Sequence, residues 1–430
     1  MKNIKSKLTL ATTALLGTVV SPATQAAESD QFNIRYSQLH YAETNRISVD
    51  KSQIQFTKPL TDTSTFTGGL IFDTMSGATP NGRVFTQDQD TSIIPITTAS
   101  GNTFTANSNS GLGSQLGLTN FSDDRIALSG ALKRQFNRLT ALSTGTSLSN
   151  EHDYLSIGIN SLVTRESPQK LSSVSFGGSI NKDKVRPVDG IKEGFGRNWC
   201  TTNPALKPAA LDCDNDPTVY APADKFVTAV MLGFTNVINR KTVSQFNLST
   251  SYANGYLSDP YKLVSVLNDS GGNTEEVAIF HEKRPRERLS HSIFWKLVSD
   301  FGKRSLHVSN RFFWDDWGIL SNSTDLRLHI QLSNRLDFIP HFRFSAQSAA
   351  DFYRDYFKKT ELDTELPEFA SADHRLSRQN TTTTGFKFTR RIANTSELSL
   401  RGEYIHQSYL TTLMPDMNAI VVQFLFTTYI

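Results

Sequence analysis

Between Asp300 and Gln347 the sequence alternates almost strictly between apolar and polar residues, in runs separated by short turns. Successive side chains of a strand point to opposite faces, so a period of two predicts strands with one set of side chains on each side of a sheet. A soluble sandwich also alternates. Here, however, the polar face carries full charges and the apolar face is large and aromatic over runs of roughly ten residues, which is the pattern of strands that cross an outer membrane.

The first residues are typical of an export signal. Three lysines within the first seven residues precede a short apolar stretch that ends at Val20, and small residues follow. We expect cleavage after Ala26 or Ala27, which gives a signal peptide over 1–27 and one barrel domain over 28–430. The apolar stretch is too short to cross a bilayer as a helix. The expected address is therefore the outer membrane of a Gram-negative cell.

Composition excludes a helical membrane protein but is compatible with a barrel. The sequence contains no run of 18 apolar residues and its mean hydropathy is −0.34, whereas a spanning helix needs about 20 apolar residues. Half of each spanning strand in a barrel is polar, so a barrel needs no such run. The 44 basic residues nearly balance the 41 acidic ones, which gives no support to nucleic-acid binding.

We count about sixteen strands, an even number as expected for a bacterial single-chain barrel. Connections of two kinds alternate along the chain. Short ones lie near Pro59, Asn137, Ser167, Arg240, Gly302, Asn334 and Asn394, and long ones cover 74–122, 182–223, 255–289 and 348–377. Short periplasmic turns and long extracellular loops are sorted in this way in outer-membrane barrels, whereas a sandwich would not sort its connections by parity. The fold class predicted is a single all-β transmembrane antiparallel barrel.

The only two cysteines, Cys200 and Cys213, lie in one long loop. In an oxidising compartment they are expected to form a disulfide that closes a short surface loop. The neighbouring acidic run at 212–216 carries oxygen ligands of the kind that Ca²⁺ prefers. It lacks the rest of a known calcium loop, so a solvated turn is the favoured interpretation.

The parity of the strands also predicts which side chains line the lumen. Basic residues outnumber acidic ones on the inward parity and include Arg311, Arg327, Arg343, Lys387 and Arg401. An inner wall rich in arginine favours anions in a pore, although ion pairs across the wall would neutralise it. Three histidines, His307, His329 and His341, lie on successive strands. Imidazoles brought together can bind a transition metal or relay protons, but scattered wall residues are the favoured interpretation and no metal site is predicted.

Motifs rich in Asp, Gly, Pro and Trp lie where strands are expected to leave the membrane. Five segments carry them, at 73–80, 254–264, 282–285 with His291, 313–319 and 348–353. Together they resemble an uncharacterised family of Gram-negative outer-membrane barrels, known only as domain-of-unknown-function family 3570. The resemblance implies the barrel and its address, with no established activity. Some relatives are associated with periplasmic thioredoxin-like and flavin-transfer proteins, which hints at a redox role.

The motif residues at this extracellular rim have two interpretations. The favoured one is structural, with tight turns and aromatic rings anchored at the headgroup level. The other is a binding surface in which the aspartates hold a cation or pair with Arg284 and Arg286. The residues concerned are Asp73, Gly77, Pro80, Asp259, Pro260, Asp315, Asp316, Trp317 and Asp351.

The sequence gives little support to catalysis, and we expect a protein that is not an enzyme and has no cofactor. No spacing identifies a nucleophile with its base; Asp315 and Asp316 near His291 are the one set worth naming. The leading hypothesis is a porin-like channel for small solutes, with anion preference, constricted by the loops near 74–122 or 348–377. A closed barrel that serves periplasmic redox or export machinery is the alternative, and a surface enzyme is a third. Expected partners are outer-membrane lipid, the barrel-assembly machinery, a small solute and a periplasmic protein.

Overall fold

A computed structural model describes residues 31–84, 95–97, 103–105, 116–270, 273–410 and 413–430. The signal peptide predicted over 1–27 lies outside these residues, as does most of the long connection after Val84, so both stay predictions. Across the described residues there is no helix with the length and apolar character that crossing a membrane requires.

Twenty-four strands and three short 3₁₀ helices make up the described chain. The helices are Pro204–Leu206, Lys359–Asp363 and His374–Leu376. The strands are β1 (Asn33–Glu43), β2 (Ile47–Thr61), β3 (Ser64–Val84), β4 (Pro95–Thr97), β5 (Thr103–Thr105), β6 (Leu116–Asn137), β7 (Thr140–Asn150), β8 (Tyr154–Glu166), β9 (Ser172–Val185), β10 (Ile191–Lys192), β11 (Arg197–Cys200), β12 (Val219–Tyr220), β13 (Ala223–Asn239), β14 (Thr242–Gly255), β15 (Leu263–Ser270), β16 (Asn273–His281), β17 (Glu287–Asp300), β18 (Arg304–Asp315), β19 (Leu320–Ser333), β20 (Leu336–Gln347), β21 (Tyr356–Lys358), β22 (Gln379–Ala393), β23 (Ser396–Tyr409) and β24 (Met417–Tyr429).

Sixteen of these strands close into one antiparallel barrel, which confirms the predicted fold class. Their order around the barrel is β1-β2-β3-β6-β7-β8-β9-β13-β14-β17-β18-β19-β20-β22-β23-β24, and β24 pairs back onto β1. Closure leaves no edge strand, so every spanning backbone group finds its partner within the wall. Each barrel strand has at least 11 residues, enough to cross the hydrocarbon core, for which about 9–11 suffice.

The two faces of the wall differ as the alternation predicts. Outward side chains are large and exposed, for example Leu326 at 37% and Phe342 at 42%. Their strand neighbours Asp325, Arg327 and Arg343 occupy the inward parity. Apolar side chains that are exposed in this way would destabilise a soluble protein, whereas in a bilayer they contact lipid.

The long connections between barrel strands all lie at one end of the barrel. At the end that holds both chain termini, where Asn33 pairs with Tyr429, the turns between hairpin strands are two to five residues long. The opposite end carries all of the long loops, together with short turns between β1 and β2, β7 and β8, and β18 and β19. The turn that the sequence placed at Pro59 lies a few residues later, because Pro59 is still paired with Thr65 inside the β2–β3 ladder. Short turns mark the periplasmic end and long loops the extracellular end.

Four strands from the extracellular loops form a second, smaller sheet, which we call the cap. Its order is β11-β16-β15-β21, with β15 and β21 parallel. The core of the cap is fully buried and includes Val266, Val277, Ala278, Phe280 and Leu362. Two further ribbons, β10-β12 and β4-β5, complete the described extracellular strands. The cap therefore has an apolar core of its own, in addition to the barrel wall.

The cap packs against the inside of the barrel mouth. Leu267 of the cap and the partly buried Tyr356 join a cluster with rim side chains of β1, β23 and β24, namely Tyr41, Ile405, Tyr409, Met417 and Ala419. All five have the inward parity of their strands. On another side, the ammonium group of Lys262, next to β15, donates to the carbonyl oxygen of Pro80 on β3.

The sequence therefore predicted only some of the connections that form the cap. The connection 255–289 contributes β15 and β16, the two central strands of the cap, and was not among the predicted constrictions. The connection 348–377, which was a predicted constriction, contributes only the edge strand β21. The cap assembles from three loops that are far apart in sequence, and no local pattern reveals such pairing.

Candidate functional site: a charged lumen beneath a cap

One side of the lumen wall is rich in charge. We call the inward side chains of β17, β18, β19, β20, β22 and β23 the charged arc. Between the strand ends it holds six cations and two anions: Lys296, Arg311, Arg327, Arg343, Lys387, Arg401, Asp325 and Glu403. The inward side chains of β7, β8, β9 and β14 form a neutral arc, in which the corresponding positions are mostly Ser, Thr, Asn, Gln and Gly.

Asp325 is the first anionic centre of the charged arc. Nε of Arg343 donates to its Oδ2 at 3.0 Å, and Nε of Arg327 lies 3.1 Å from its Oδ1. Nε2 of His341 is 2.8 Å from Oδ2. Three neighbouring side chains therefore hold one carboxylate, which fixes the two arginines on the wall.

Glu403 is the second centre and shares His341 with the first. Nδ1 of His341 lies 2.7 Å from Oε1 of Glu403, and Nε of Arg401 donates to the same oxygen at 2.6 Å. A carboxylate accepts hydrogen bonds, so His341 donates from both ring nitrogens and carries a positive charge. Arg401 also donates a hydrogen bond to the side chain of Gln423, which in turn donates to the hydroxyl of Ser37. The network links strands from β19 to β1.

The cations of the charged arc exceed what these carboxylates can neutralise. Seven positive groups, counting His341, face two carboxylates. The side chains of Arg327 and Arg343 are still 44% and 47% exposed although both contact Asp325. These guanidinium groups are therefore fixed by the wall on one side and open to the lumen on the other.

The three predicted lumen histidines do not form one site. The rings of His307 and His329 stack with centroids 4.3 Å apart, whereas His341 is held between the two carboxylates. The sequence identified the arginines and Lys387 on this wall but missed Lys296. The reason is local: β17 carries bulky residues on both parities, including Phe294 facing inward opposite Arg311, so its inward face is not evident from the pattern.

A second charged region joins the cap to the barrel. Six side chains alternate in sign along the sequence: Asp259, Lys262, Glu282, Arg284, Asp373 and Arg375. Lys262, Glu282, Arg284 and Asp373 lie almost entirely out of water, whereas Asp259 and Arg375 form the exposed side of the group. Arg284 contacts Glu282 at 2.7 Å and Asp373 at 2.8 Å, and both carboxylate side chains are 1% exposed. Arg375 reaches Asp259 at 2.7 Å. We call this the buried charge cluster; it binds the 255–289 connection to the 348–377 connection.

The pKa values in the buried charge cluster follow from burial and pairing. Burial raises the pKa of Glu282, and Arg284 acts in the opposite direction. Burial lowers the pKa of Lys262. Burial also acts to raise the pKa of Asp373, but Arg375 and Lys262 together hold it well below its usual value. Each charge thus depends on its neighbours to remain ionised.

The rim motif residues act at several separate places. Asp73 accepts from Arg125 on the next strand at 2.6 Å, while Asp259 and the carbonyl of Pro80 belong to the contacts of the cap. Gly77 has a φ of +129°, and a side chain there would meet the backbone of Arg46. Of the five motif aspartates, only Asp259 therefore lies in the cluster that contains Arg284.

The motif at 315–318 builds a tight turn. Asp315 accepts from Nε of Arg288 at 2.8 Å and from the backbone N–H of Ile319 at 2.9 Å. Asp316 accepts from the backbone N–H of Leu289. Trp317 is 4% exposed and donates to a backbone carbonyl, and its own carbonyl accepts from the backbone N–H of Asp351. These contacts fit the structural interpretation of the rim motifs.

Three carboxylates at the mouth lie close enough together to hold a cation. Ligand oxygens of Asp123, Glu151 and Asp153 all lie within 4.8 Å of one another. Burial, with the charge of Asp123 next, raises the pKa of Glu151 to about 7. The sequence did not predict this group, because Asp123 lies on β6 whereas Glu151 and Asp153 lie in the turn between β7 and β8.

Cys200 and Cys213 are bonded to each other, as predicted. Both lie against the apolar core of the cap. The acidic run beside them folds as a solvated turn, in which Asp212 accepts from the backbone N–H groups of Asp214 and Asn215. The disulfide therefore ties the third contributing loop to the cap.

The motifs and the barrel agree with a family assignment. The family model described as Protein of unknown function (DUF3570) matches residues 5–428. The chain belongs to this family. No curated protein matches the sequence.

Solved structures share the general architecture at low similarity. The Pseudomonas putida toluene transporter TodX is 9% identical, with a TM-score of 0.39 over 95% of this chain and 91% of that chain. A bacterial polysaccharide outer membrane secretin is 7% identical, with a TM-score of 0.46 over 93% of this chain and 99% of that chain. The siderophore receptor PirA from Pseudomonas aeruginosa is 8% identical, with a TM-score of 0.38 over 88% of this chain. The chain spans 56% of the length of that receptor, and such similarity carries no argument about function.

Proposed function

We propose that this outer-membrane barrel is a channel for small anionic solutes, closed from outside while the cap is seated. The observation that carries the proposal is the charged arc, where six cations face the lumen with only two carboxylates between the strand ends. A wall with this excess attracts anions and repels cations. The low-dielectric barrel wall focuses the field and strengthens the preference.

The contacts of the arginines support this role rather than a purely structural one. A wall built only for stability would pair its charges one to one. Here Arg327 and Arg343 share a single carboxylate, Asp325, and remain substantially exposed. Ions that pass along the arc would therefore meet guanidinium groups that are already held in place and need little reorganisation.

The cap would regulate the passage of solute through the barrel. It packs on inward rim residues of β1, β23 and β24, so solute that enters from outside must displace it or pass between it and the wall. We also propose that the chain reaches the outer membrane through the signal peptide over 1–27, which sequencing of the N-terminus of the purified mature protein tests directly.

Conductance in planar bilayers tests the channel proposal. With a salt gradient across the bilayer, the purified protein is expected to conduct when the cap is displaced, with a reversal potential that favours chloride over potassium. The preference should shrink as salt rises, because the screening length falls to roughly 3 Å at 1 M. A folded barrel that conducts with a cation preference would show that the mouth carboxylates, and not the charged arc, select the ion.

A second candidate function is a permanently closed barrel that serves a periplasmic partner. The cap favours it, because a plugged mouth needs no solute. The two functions separate in a variant with a loosened cap, Cys200→Ser with Cys213→Ser. Absence of conductance in both the wild type and this variant, with the barrel folded, would favour the closed-barrel partner.

A further inference from the structure

The six cations of the charged arc differ in their contacts, and Arg311 lies over the ring of Phe313, 5.9 Å from its centroid. The arginines Arg327, Arg343 and Arg401 each contact a carboxylate of the wall. Lys296 and Lys387, by contrast, have no hydrogen bond or ion pair with a side chain in the part of the chain that the structure describes. Both are only partly exposed. Asp325 attracts Lys296 and Glu397 attracts Lys387, but neither carboxylate contacts the ammonium group. A half-buried ammonium without a hydrogen-bonded anion is costly, and a bound anion would reduce that cost.

The strand register places the two lysines on either side of Arg327. Lys296 is on β17, opposite Ser309 of β18, which is opposite Asp325 of β19. Lys387 is on β22, and β20 lies between it and β19. The charge of Arg327 acts on both ammonium groups. Each lysine is two strands from Arg327, which corresponds to roughly 10 Å along the wall.

From this arrangement we infer that Lys296, Arg327 and Lys387 form a binding site for a polyvalent oxyanion with charges spaced along a chain, such as an oligophosphate. This inference deepens the proposed function and rests on it. A monovalent ion can neutralise one of the three cations, whereas a linear polyanion can contact Arg327 and a lysine at once. Each lysine offers three donors and the guanidinium a planar fork, which suits phosphate oxygens.

The neighbouring residues favour an anion of high charge. Asp325 and Glu403 are already occupied by arginines and His341, so they repel a ligand less than bare carboxylates would. The neutral arc offers hydroxyl and amide groups but few charges between its strand ends. A bound polyanion is therefore expected to lie along the charged arc rather than in the middle of the lumen.

Calorimetric titration of the detergent-solubilised, folded full-length chain with inorganic tripolyphosphate tests the site at low salt. Binding from the periplasmic end, away from the cap, requires no conduction. We expect one saturable site that binds tripolyphosphate at least tenfold more tightly than monophosphate. Because tripolyphosphate can join Arg327 to only one of the two lysines at a time, Lys296→Gln together with Lys387→Gln should weaken binding about tenfold, which is the loss of one charge-assisted contact.

Matched controls keep the test specific. Lys133→Gln removes an inward cation of β6, outside the charged arc, and should change the affinity by less than twofold. Lys296→Arg together with Lys387→Arg keeps both charges and should retain most of the affinity that the double glutamine variant loses. Equal weakening by Lys133→Gln would overturn the site, since it would show general attraction to a basic lumen.

Failure of the site and failure of the channel are distinguishable. Chloride-selective conductance without saturable tripolyphosphate binding would overturn the site and leave the proposed function standing. Saturable binding that depends on Lys296 and Lys387, in a barrel that never conducts, would support the site and overturn the channel.

Discussion

The buried charge cluster of the cap and the charged arc of the lumen use the same residue types for different ends. The cluster contains three cations and three anions, each charge is matched, and Lys262, Glu282, Arg284 and Asp373 are nearly excluded from water. The charged arc contains six cations and two anions, and its arginines remain open to the lumen. Balanced charges out of water hold parts of a protein together, whereas an unbalanced set in contact with water creates a field that acts on solutes.

The difference also predicts what a mutation does in each region. Removal of one member of the buried charge cluster leaves an unpaired charge without water, so the free energy of unfolding of the cap should fall sharply. Removal of one cation of the charged arc leaves water to solvate its partner, so stability should change little and ion selectivity should change most.

The largest effect is expected for Arg284→Ala. The variant leaves Glu282 and Asp373, both with side chains 1% exposed, without their shared partner, which should destabilise the cap by about 3–5 kcal/mol. Hydrogen exchange of the β15 and β16 amides measures this loss. The matched control is Arg354→Ala, whose pair with Glu361 is about half exposed and should contribute less than about 1 kcal/mol. Equal losses in both variants would mean that the cluster does not hold the cap.

Loss of the disulfide should affect the cap next. Cys200 and Cys213 are 13 positions apart, and closure of a loop of this size contributes about 3 kcal/mol. Cys200→Ser with Cys213→Ser should therefore lower the protection of the cap amides and leave the barrel intact. Heat-modifiable electrophoretic mobility monitors the barrel separately. A barrel that unfolds together with the cap would show that the cap is not an independent unit.

Charge placement on the wall tests the register of the barrel. Leu328 and Phe342 face lipid, so Leu328→Arg or Phe342→Arg should each cost about 2–4 kcal/mol if near the middle of the membrane. The inward changes His329→Arg and Arg343→Ala should leave assembly intact. The fraction of heat-modifiable folded protein in vesicles compares the two sets, and equal loss in both would contradict the assigned faces.

The smallest effect concerns pH at the mouth. Folding raises the pKa of Glu151 from its ordinary value of 4.5 to about 7, chiefly through burial. The folded state therefore binds a proton more tightly than the unfolded state, and this contribution to stability is present at low pH and is lost as pH rises through about 7. Amides near Glu151 should be more protected at pH 5 than at pH 8. The same difference in Glu151→Gln would show that another group titrates.

The barrel was predictable from the sequence because one face of each barrel strand contacts lipid and the other face contacts water. Lipid selects Leu326 and Phe342 on one parity, and water permits Arg327 and Arg343 on the other, so the pattern is visible locally. The cap was not predictable, since β11, β15 and β21 come from three separate loops and no local sequence pattern shows which strands of different loops pair.

The candidate site was likewise predictable only in part. Arg327, Arg343 and Arg401 were assigned to the lumen from parity alone. The contact that fixes His341 was not evident, because its partner Glu403 is 62 positions away along the chain. Sequence patterns thus indicate which face a residue occupies, whereas the partner across the wall follows from strand order and register.

The most direct measurement is the ion selectivity of a charge-reversed arc. Single-channel reversal potentials would be compared for the wild type and for Arg327→Glu with Arg343→Glu, each also with the cap loosened by the cysteine substitutions. Lys58→Glu with Arg165→Glu, on the outward parity near the strand ends, is the matched control. The account predicts chloride preference in the wild type and the control, and potassium preference in the reversed arc. Unchanged selectivity in the reversed arc, with the barrel folded, would contradict it.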